Sequence, residues 1–373
     1  MRMVLLNPGP VNVSERVRQA LLGPDMCHRE RDFGELLTRV RGKLCDFVGV
    51  PRADFGAVCF TGSGTAAMEA ATISVVTPGR KMLVLSNGVY GERIAQIADI
   101  AGIPTVILRS KWTERPDLAA TEAALLADPL IEVVAAIHHE TTTGLINPLP
   151  ALGALCKKHG KTLLIDSISG MGGEPLDCVR DHIGVVIGTA NKCLQGQPGV
   201  AFVVARKDEL ARMAGYKARS LYLDVARTYA RQEKGEVTFT PAVQIFYALE
   251  AALDEVLEEG VPHREARYAR RAAELRAGMA KLGFERLLPD ALLSNTITTF
   301  LQPTDVSYDT LHDELKKVGF IIYSGLGGLD VDVFRIANMG DLTADDMARF
   351  LRELERVLVS SGPSRGQLKS ARA

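Results

Sequence analysis

The chain has 373 residues, more than one compact core usually spans, so two domains are expected. Hydrophobic residues make up 47% and charged residues 24%, an ordinary globular composition, and a net charge of −1 provides no surface for nucleic acid or anionic membrane. Six scattered cysteines (Cys27, Cys45, Cys59, Cys156, Cys178, Cys193) form no C-x-x-C pair, which argues against a zinc site or a disulfide framework and fits a reducing cytosol. Pro8 interrupts the N-terminal stretch too early for a signal peptide, and no apolar run reaches membrane-spanning length. A soluble, cytoplasmic protein is the expectation.

In chain order, Val4-Leu5-Leu6 reads as a short strand stopped by Asn7-Pro8-Gly9-Pro10. Ser14 is placed to cap a helix running to Leu22, and Phe33, Leu36, Leu37, Val40, Leu44 and Phe47 recur at helical spacing. An alternation of strands and helices then begins. Strands are expected at 57–60, 81–85, 105–108, 131–137, 162–166, 183–187 and 200–204, with helices at 66–76, 92–101, 118–126 and 151–159 among them. Nearly continuous apolar strands alternating with helices indicate a mostly parallel sheet covered on both faces, with ligands at the carboxyl ends of the strands. Residues 206–240 read as irregular. A helix over 241–259 is broken by Val261-Pro262, and another runs over 263–282. The remainder reads as a smaller α/β unit, with strands at 294–301, 320–323 and 333–337 and helices at 308–318 and 343–359. The expected division is an N-terminal segment 1–15 beside the active site, a large domain 16–262, a small domain 263–359 and a frayed tail 360–373.

Several residues at the carboxyl ends of strands could carry chemistry. Lys192 lies in a small-residue loop between two buried strands, where an ammonium loses its proton more readily than in water. Asp166 ends an apolar strand and needs a cationic partner there. Thr61-Gly62-Ser63-Gly64-Thr65 opens a helix, and its free N–H groups could hold a phosphate, although a plain tight turn reads the same way. A lysine that forms a Schiff base, an acid that holds a protonated ring nitrogen and a phosphate cup together are what a pyridoxal phosphate site requires. Tyr90 sits on another carboxyl-end loop and could stack on a flat ring, or simply pack. Thr141 offers a hydroxyl in the same layer, as would any turn-capping threonine. His138 and His139 have no metal-ligand spacing and read as packing residues. Arg335, inside an apolar strand, either pairs with an internal carboxylate or presents its fork to a substrate carboxylate or phosphonate.

Taken together and in this order, Leu6-Asn7-Pro8-Gly9-Pro10, Thr61-Gly62-Ser63-Gly64-Thr65, Asn87-Gly88-Val89-Tyr90-Gly91, His139-Glu140-Thr141-Thr142-Thr143-Gly144, Ile165-Asp166-Ser167, Asn191-Lys192-Cys193-Leu194-Gln195-Gly196 and Phe334-Arg335-Ile336 resemble the class V aminotransferases. The resemblance spans residues 4–358. It implies a fold-type I transferase, with a seven-stranded-type sheet in the large domain, that uses pyridoxal 5'-phosphate as a homodimer with its active site at the subunit interface. It makes Lys192 the Schiff-base lysine, Asp166 the partner of the ring nitrogen, Tyr90 the stacking residue and Thr141 the partner of the ring hydroxyl. It gives the phosphate to Ser63, Gly64 and Thr65, joined by Thr240 of a second subunit. It gives the substrate to Arg335, with Pro8 and Gly9 nearby. Asp25-Met26-Cys27-His28-Arg29-Glu30, Glu140-Thr141-Thr142-Thr143-Gly144 and Asn191-Lys192-Cys193 resemble the branch that moves an amino group from 2-aminoethylphosphonate to pyruvate. Phe239-Thr240-Pro241-Ala242-Val243 resembles the alanine–glyoxylate and serine–pyruvate branch instead, which leaves the donor open. A class V lyase or desulfurase, a non-enzymatic protein on this fold and a nicotinamide oxidoreductase are the other readings. The last lacks a full glycine fingerprint at Gly170-Met171-Gly172-Gly173.

Overall fold

A computed structural model describes residues 2–304, 306–325 and 327–361. A seven-stranded sheet forms its centre, in the order Phe55–Gly62, Gly199–Arg206, Ile183–Thr189, Thr162–Asp166, Ile131–Ile137, Lys81–Ser86, Thr105–Arg109. All neighbours are parallel except at Gly199–Arg206, which runs antiparallel to both of its partners. Strand alternation divides the core into two layers. Ala57 and Cys59 face the helices Arg31–Val48 and Val243–Glu259, while Val58 and Phe60 face Gly64–Val75 and Val89–Ile100. Both faces are covered, so the strands carry no polar face, as the apolar runs in the sequence required.

The smaller unit packs Phe284, Phe300, Phe320, Phe334 and Phe350 around a three-stranded sheet, Ile297–Leu301, Val333–Ala337 and Tyr323–Ser324. Val4–Leu5 pairs in parallel with Phe320–Ile321, and Ala337 donates its N–H to the Leu6 carbonyl at 2.7 Å. The N-terminal strand is thus built into the smaller unit, and the turn after it is delivered to the large sheet.

Four expectations are corrected. The stretch read as irregular contains two helices, Lys207–Ala214 and Val225–Gln232. Each has only eight residues, about two turns, too short to establish a period, and Asp224 caps the second through the Arg227 N–H. Pro262 does not break a helix. It occupies the first turn of Val261–Lys281, where its missing N–H costs nothing, and the break is Gly260 at φ 81°. The helix expected at 92 begins at Val89, which moves Tyr90 from a loop into its first turn. The last helix, Ala344–Ser361, runs through the first two positions assigned to the tail; residues 362–373 of that tail lie outside the described residues. Among the described residues, no helix is long and apolar enough to cross a membrane.

Candidate functional site

The register of the sheet brings the candidate residues to one edge. Ile137 pairs with Asp166, and Asp166 with Ile187, so the loops after these three strands start level with one another. Two residues past the third strand, the chain reaches Asn191 and Lys192. A tight fold holds this loop: Gly196 donates to the Ala190 carbonyl at 2.8 Å and Gln195 to the Lys192 carbonyl at 2.9 Å. From the helix Val261–Lys281, Arg264 donates to the carbonyls of Cys193 (3.2 Å) and Leu194 (3.1 Å), and the Tyr268 hydroxyl accepts from the Gln195 amide at 2.6 Å. Arg264 and Tyr268 are themselves buried. The lysine therefore projects from a fixed base, and its Nζ makes no hydrogen bond among the described residues. Burial pushes its ammonium down to about 8, and the nearby Arg335 charge adds to this. Gly9 lies against the lysine stem: a Cβ at Gly9 would stand 2.8 Å from Lys192 Cδ, and its φ of +101° suits glycine. Pro8, beside it, is buried.

Asp166 is 3% exposed, and burial holds its carboxyl up at about 7. Oδ1 accepts the Ile168 N–H at 2.8 Å; the other oxygen takes no hydrogen bond from the described residues. Around it, Thr141 Oγ1 and Ser169 Oγ are 2.7 Å apart, and the Ser167 hydroxyl bonds His138 Nδ1 at 2.9 Å. Burial drives His138 down to about 4 and His139 to about 3, so both imidazoles are neutral packing groups.

The phosphate-cup candidate forms the start of the helix Gly64–Val75. Ser63 is its N-cap, and its hydroxyl makes no capping bond; the Ala66 N–H bonds the Ser63 carbonyl at 2.9 Å, which leaves the Gly64 and Thr65 N–H groups and that hydroxyl for an anion. Gly64 lets Ile168 approach, since a Cβ there would stand 2.9 Å from Ile168 Cδ1. Arg93 donates to Thr65 Oγ1 at 3.2 Å, and its guanidinium lies 4.7 Å from the centre of the Tyr90 ring. Tyr90, Asp166 and Arg335 are close enough for Tyr90 to feel both charges.

Arg335 is 1% exposed. Its Nε and Nη2 donate to the Ser324 carbonyl (3.1 and 2.9 Å), its Nη1 donates to the Thr141 carbonyl (3.0 Å), and the Tyr323 ring centre lies 5.1 Å from its guanidinium carbon. No carboxylate pairs with it among the described residues, so the internal salt bridge is absent. A buried guanidinium held by neutral carbonyls keeps a positive charge with no salt-bridge partner, favoured only at longer range by Glu140, and two unused N–H groups.

Thr240 stands apart from these. It is exposed, in a segment tied to the sheet by the Ala242 N–H on Thr61 Oγ1 (3.2 Å), beside the stacked rings of Tyr222 and Phe239.

The sequence reading overlooked several residues. Arg93 is one turn beyond Tyr90 on the same helix, a relation hidden by placing Tyr90 in a loop. Tyr323 opens the two-residue strand Tyr323–Ser324, too short to display alternation. Glu140 carries a weaker form of the signal that marks Asp166: it is a carboxylate three residues past the apolar strand Ile131–Ile137.

These groups fit pyridoxal 5'-phosphate. The donor set offers a partly deprotonated lysine amine, a buried carboxyl with one oxygen unengaged, an aromatic ring and an open helix N-terminus. The comparisons with known proteins agree. The profile of the family "Aminotransferase class-V" matches residues 19–331. The chain is 39% identical to the 2-aminoethylphosphonate–pyruvate transaminase of Vibrio vulnificus (strain CMCP6), covering 95% of this chain and 97% of that one. It is also 39% identical to the Syntrophobacter fumaroxidans protein of the same name, covering 94% of each. The solved alanine–glyoxylate aminotransferase of Nostoc sp. superposes with a TM-score of 0.89 at 25% identity, covering 96% of this chain and 95% of that one. The chain belongs to the class V aminotransferases and is a pyridoxal-phosphate-dependent enzyme.

Proposed function

We propose that this enzyme moves the amino group of 2-aminoethylphosphonate to pyruvate, giving phosphonoacetaldehyde and alanine. The observation that carries this reading is Arg335, a buried, unpaired guanidinium fork suited to a phosphonate in one half-reaction and a carboxylate in the other. The near-full-length likeness to relatives bearing that name supports the choice of donor.

When bound, the cofactor draws electrons from the donor's carbon–nitrogen unit and makes the adjacent C–H acidic. The protein's own groups do the rest. Lys192 Nζ, a free amine in part at neutral pH, takes the proton from that carbon and returns it on the other side of the transfer. The unengaged Asp166 oxygen would hold the cofactor's ring nitrogen, and beside a cationic ring its carboxyl, at about 7 in the ligand-free site, would be held charged. Tyr90 would stack on the ring, Thr141 would meet the ring hydroxyl, and Ser63, Gly64 and Thr65 would hold the phosphate. Arg335 anchors the substrate anion, with Pro8 and Gly9 closing the lysine side.

A homodimer completes the reading. Leu221, Tyr222 and Phe239 are exposed apolar side chains, the last of them next to Thr240. A second copy covering this patch would bring Thr240 to its partner's phosphate. Six unpaired cysteines support a cytoplasmic location.

A second reading, transfer from alanine or serine to glyoxylate or pyruvate, is favoured by Phe239-Thr240-Pro241-Ala242-Val243. Steady-state assays separate the two. With pyruvate as acceptor, kcat/KM for 2-aminoethylphosphonate should exceed that for serine by at least 100-fold, and Lys192→Ala should lose on the order of 10²–10⁴ in kcat. Equal or better use of serine, or of alanine with glyoxylate, contradicts the proposal.

A further inference from the structure

Glu140 takes no part in the chemistry set out above, yet its side chain is 0% exposed and no lysine or arginine pairs with it among the described residues. Donors surround it instead. Oε1 accepts the Thr142 N–H (3.1 Å) and hydroxyl (2.6 Å), and Oε2 accepts the Tyr90 N–H (3.3 Å). The Thr142 hydroxyl in turn accepts the Val89 N–H at 3.3 Å. Val89, Tyr90 and Gly91 are the first three residues of the helix Val89–Ile100, whose opening amides have no acceptor within the helix. The N-cap itself, Gly88, has no side chain to offer. A Cβ there would stand 2.3 Å from Glu140 Cδ, so the glycine makes room for a cap supplied from another loop. The helix dipole favours a carboxylate at this position.

The same loop carries Thr141. Its carbonyl accepts Arg335 Nη1, and its hydroxyl bonds Ser169. One carboxylate therefore fixes the start of the helix that presents Tyr90 to the loop that presents Thr141 and seats Arg335. We propose that Glu140 is a positioning residue that holds the ring-stacking tyrosine and the substrate-anion clamp in register. This rests on the assignment of Tyr90, Thr141 and Arg335 made above.

The test uses cofactor-free protein titrated with pyridoxal 5'-phosphate and followed by visible circular dichroism, with KM for pyruvate measured on the loaded enzyme. In Glu140→Gln the amide places N–H donors against the N–H donors of the helix. The cofactor Kd should rise at least tenfold, the induced dichroism should fall, and KM for pyruvate should rise with it. Thr142→Val should show a smaller loss in the same direction, and Thr142→Ser, which keeps the hydroxyl, should recover most of it. A residue that only stabilised the fold would shift the thermal unfolding midpoint and leave Kd and KM within twofold of wild type. That result in both Glu140→Gln and Thr142→Val overturns the proposal. Lys192→Ala in parallel distinguishes the two levels. If it keeps the visible band of imine-linked cofactor, the site assignment fails; wild-type behaviour of Glu140→Gln refutes only the role of Glu140.

Discussion

Asp166 and Lys192 are shifted toward their neutral forms for the same reason, the low polarity of the site. The Asp166 carboxyl sits at about 7 against an ordinary 3.8, with desolvation dominant, Glu140 adding to it, and Lys192 and Arg93 opposing. For an acid whose folded-state value is raised, stability is lost as pH rises through the interval between the two values. Here that runs from about 4 to about 7, at a cost on the order of 4 kcal/mol in the cofactor-free protein. Asp166→Asn should therefore raise the unfolding midpoint of cofactor-free protein at pH 8, and the gain should shrink toward pH 4. It should also impair catalysis. A gain that does not vary with pH would contradict the burial argument. Lys192 has the opposite sign: its depressed value costs stability as pH falls from 10.5 to about 8. Its reaction with an amine-selective reagent in cofactor-free protein should rise through about pH 8, well below an ordinary lysine. For Arg335, replacing the planar fork by a point charge in Arg335→Lys should raise KM for pyruvate about 10- to 100-fold, more than it lowers kcat. An unchanged KM would remove Arg335 from the substrate site.

At the scale of elements, catalytic geometry depends on short backbone pieces pressed against one another. The turn at Gly9 is an example, delivered by a strand that pairs with the smaller unit and lying against Lys192. Gly9→Ala puts a methyl group into the lysine stem and strains a φ of +101°. A displacement near 1 Å should lower kcat on the order of 10²-fold, with an added folding cost of about 1–2 kcal/mol. Rate and unfolding midpoint measured together will show whether both change. The same scale explains what could be read in advance. Lys192, Asp166 and the Ser63-Gly64-Thr65 turn were legible because each terminates or follows a strong apolar strand. Arg93 was not, because an error of three residues in a helix start removed the i+3 relation to Tyr90. The helices Lys207–Ala214 and Val225–Gln232 are hard to read in advance because each is only eight residues, about two turns, so its apolar face repeats too few times to stand out. Arg335 was noticed, but the lack of a carboxylate partner is a tertiary fact that no local pattern encodes. Glu140 gains its role from the Tyr90 amide, fifty positions earlier in the chain, and through Thr142 from the Val89 amide, and sequence spacing gives no hint of that pairing.

At the scale of the molecule, the α/β order, the mostly parallel seven-stranded sheet and the smaller C-terminal unit follow from strand–helix alternation, and the family likeness accounts for the rest of the architecture. The exposed Tyr222–Phe239 stack, with ring centres 5.0 Å apart, belongs to this scale. On the proposed dimer, Tyr222→Glu combined with Phe239→Glu should give a monomer in sedimentation velocity and weaken cofactor binding, because the contact proposed for Thr240 would be lost. An unchanged sedimentation coefficient would place the subunit interface elsewhere. The central claim, that Lys192 and Arg335 serve a 2-aminoethylphosphonate transaminase, is tested most directly by one half-reaction. 2-Aminoethylphosphonate is added alone to the loaded enzyme, and the visible absorbance of the lysine-linked cofactor is followed. The account predicts that the band is lost and that it returns on addition of pyruvate. A band that persists with 2-aminoethylphosphonate but is lost with alanine or serine would contradict it.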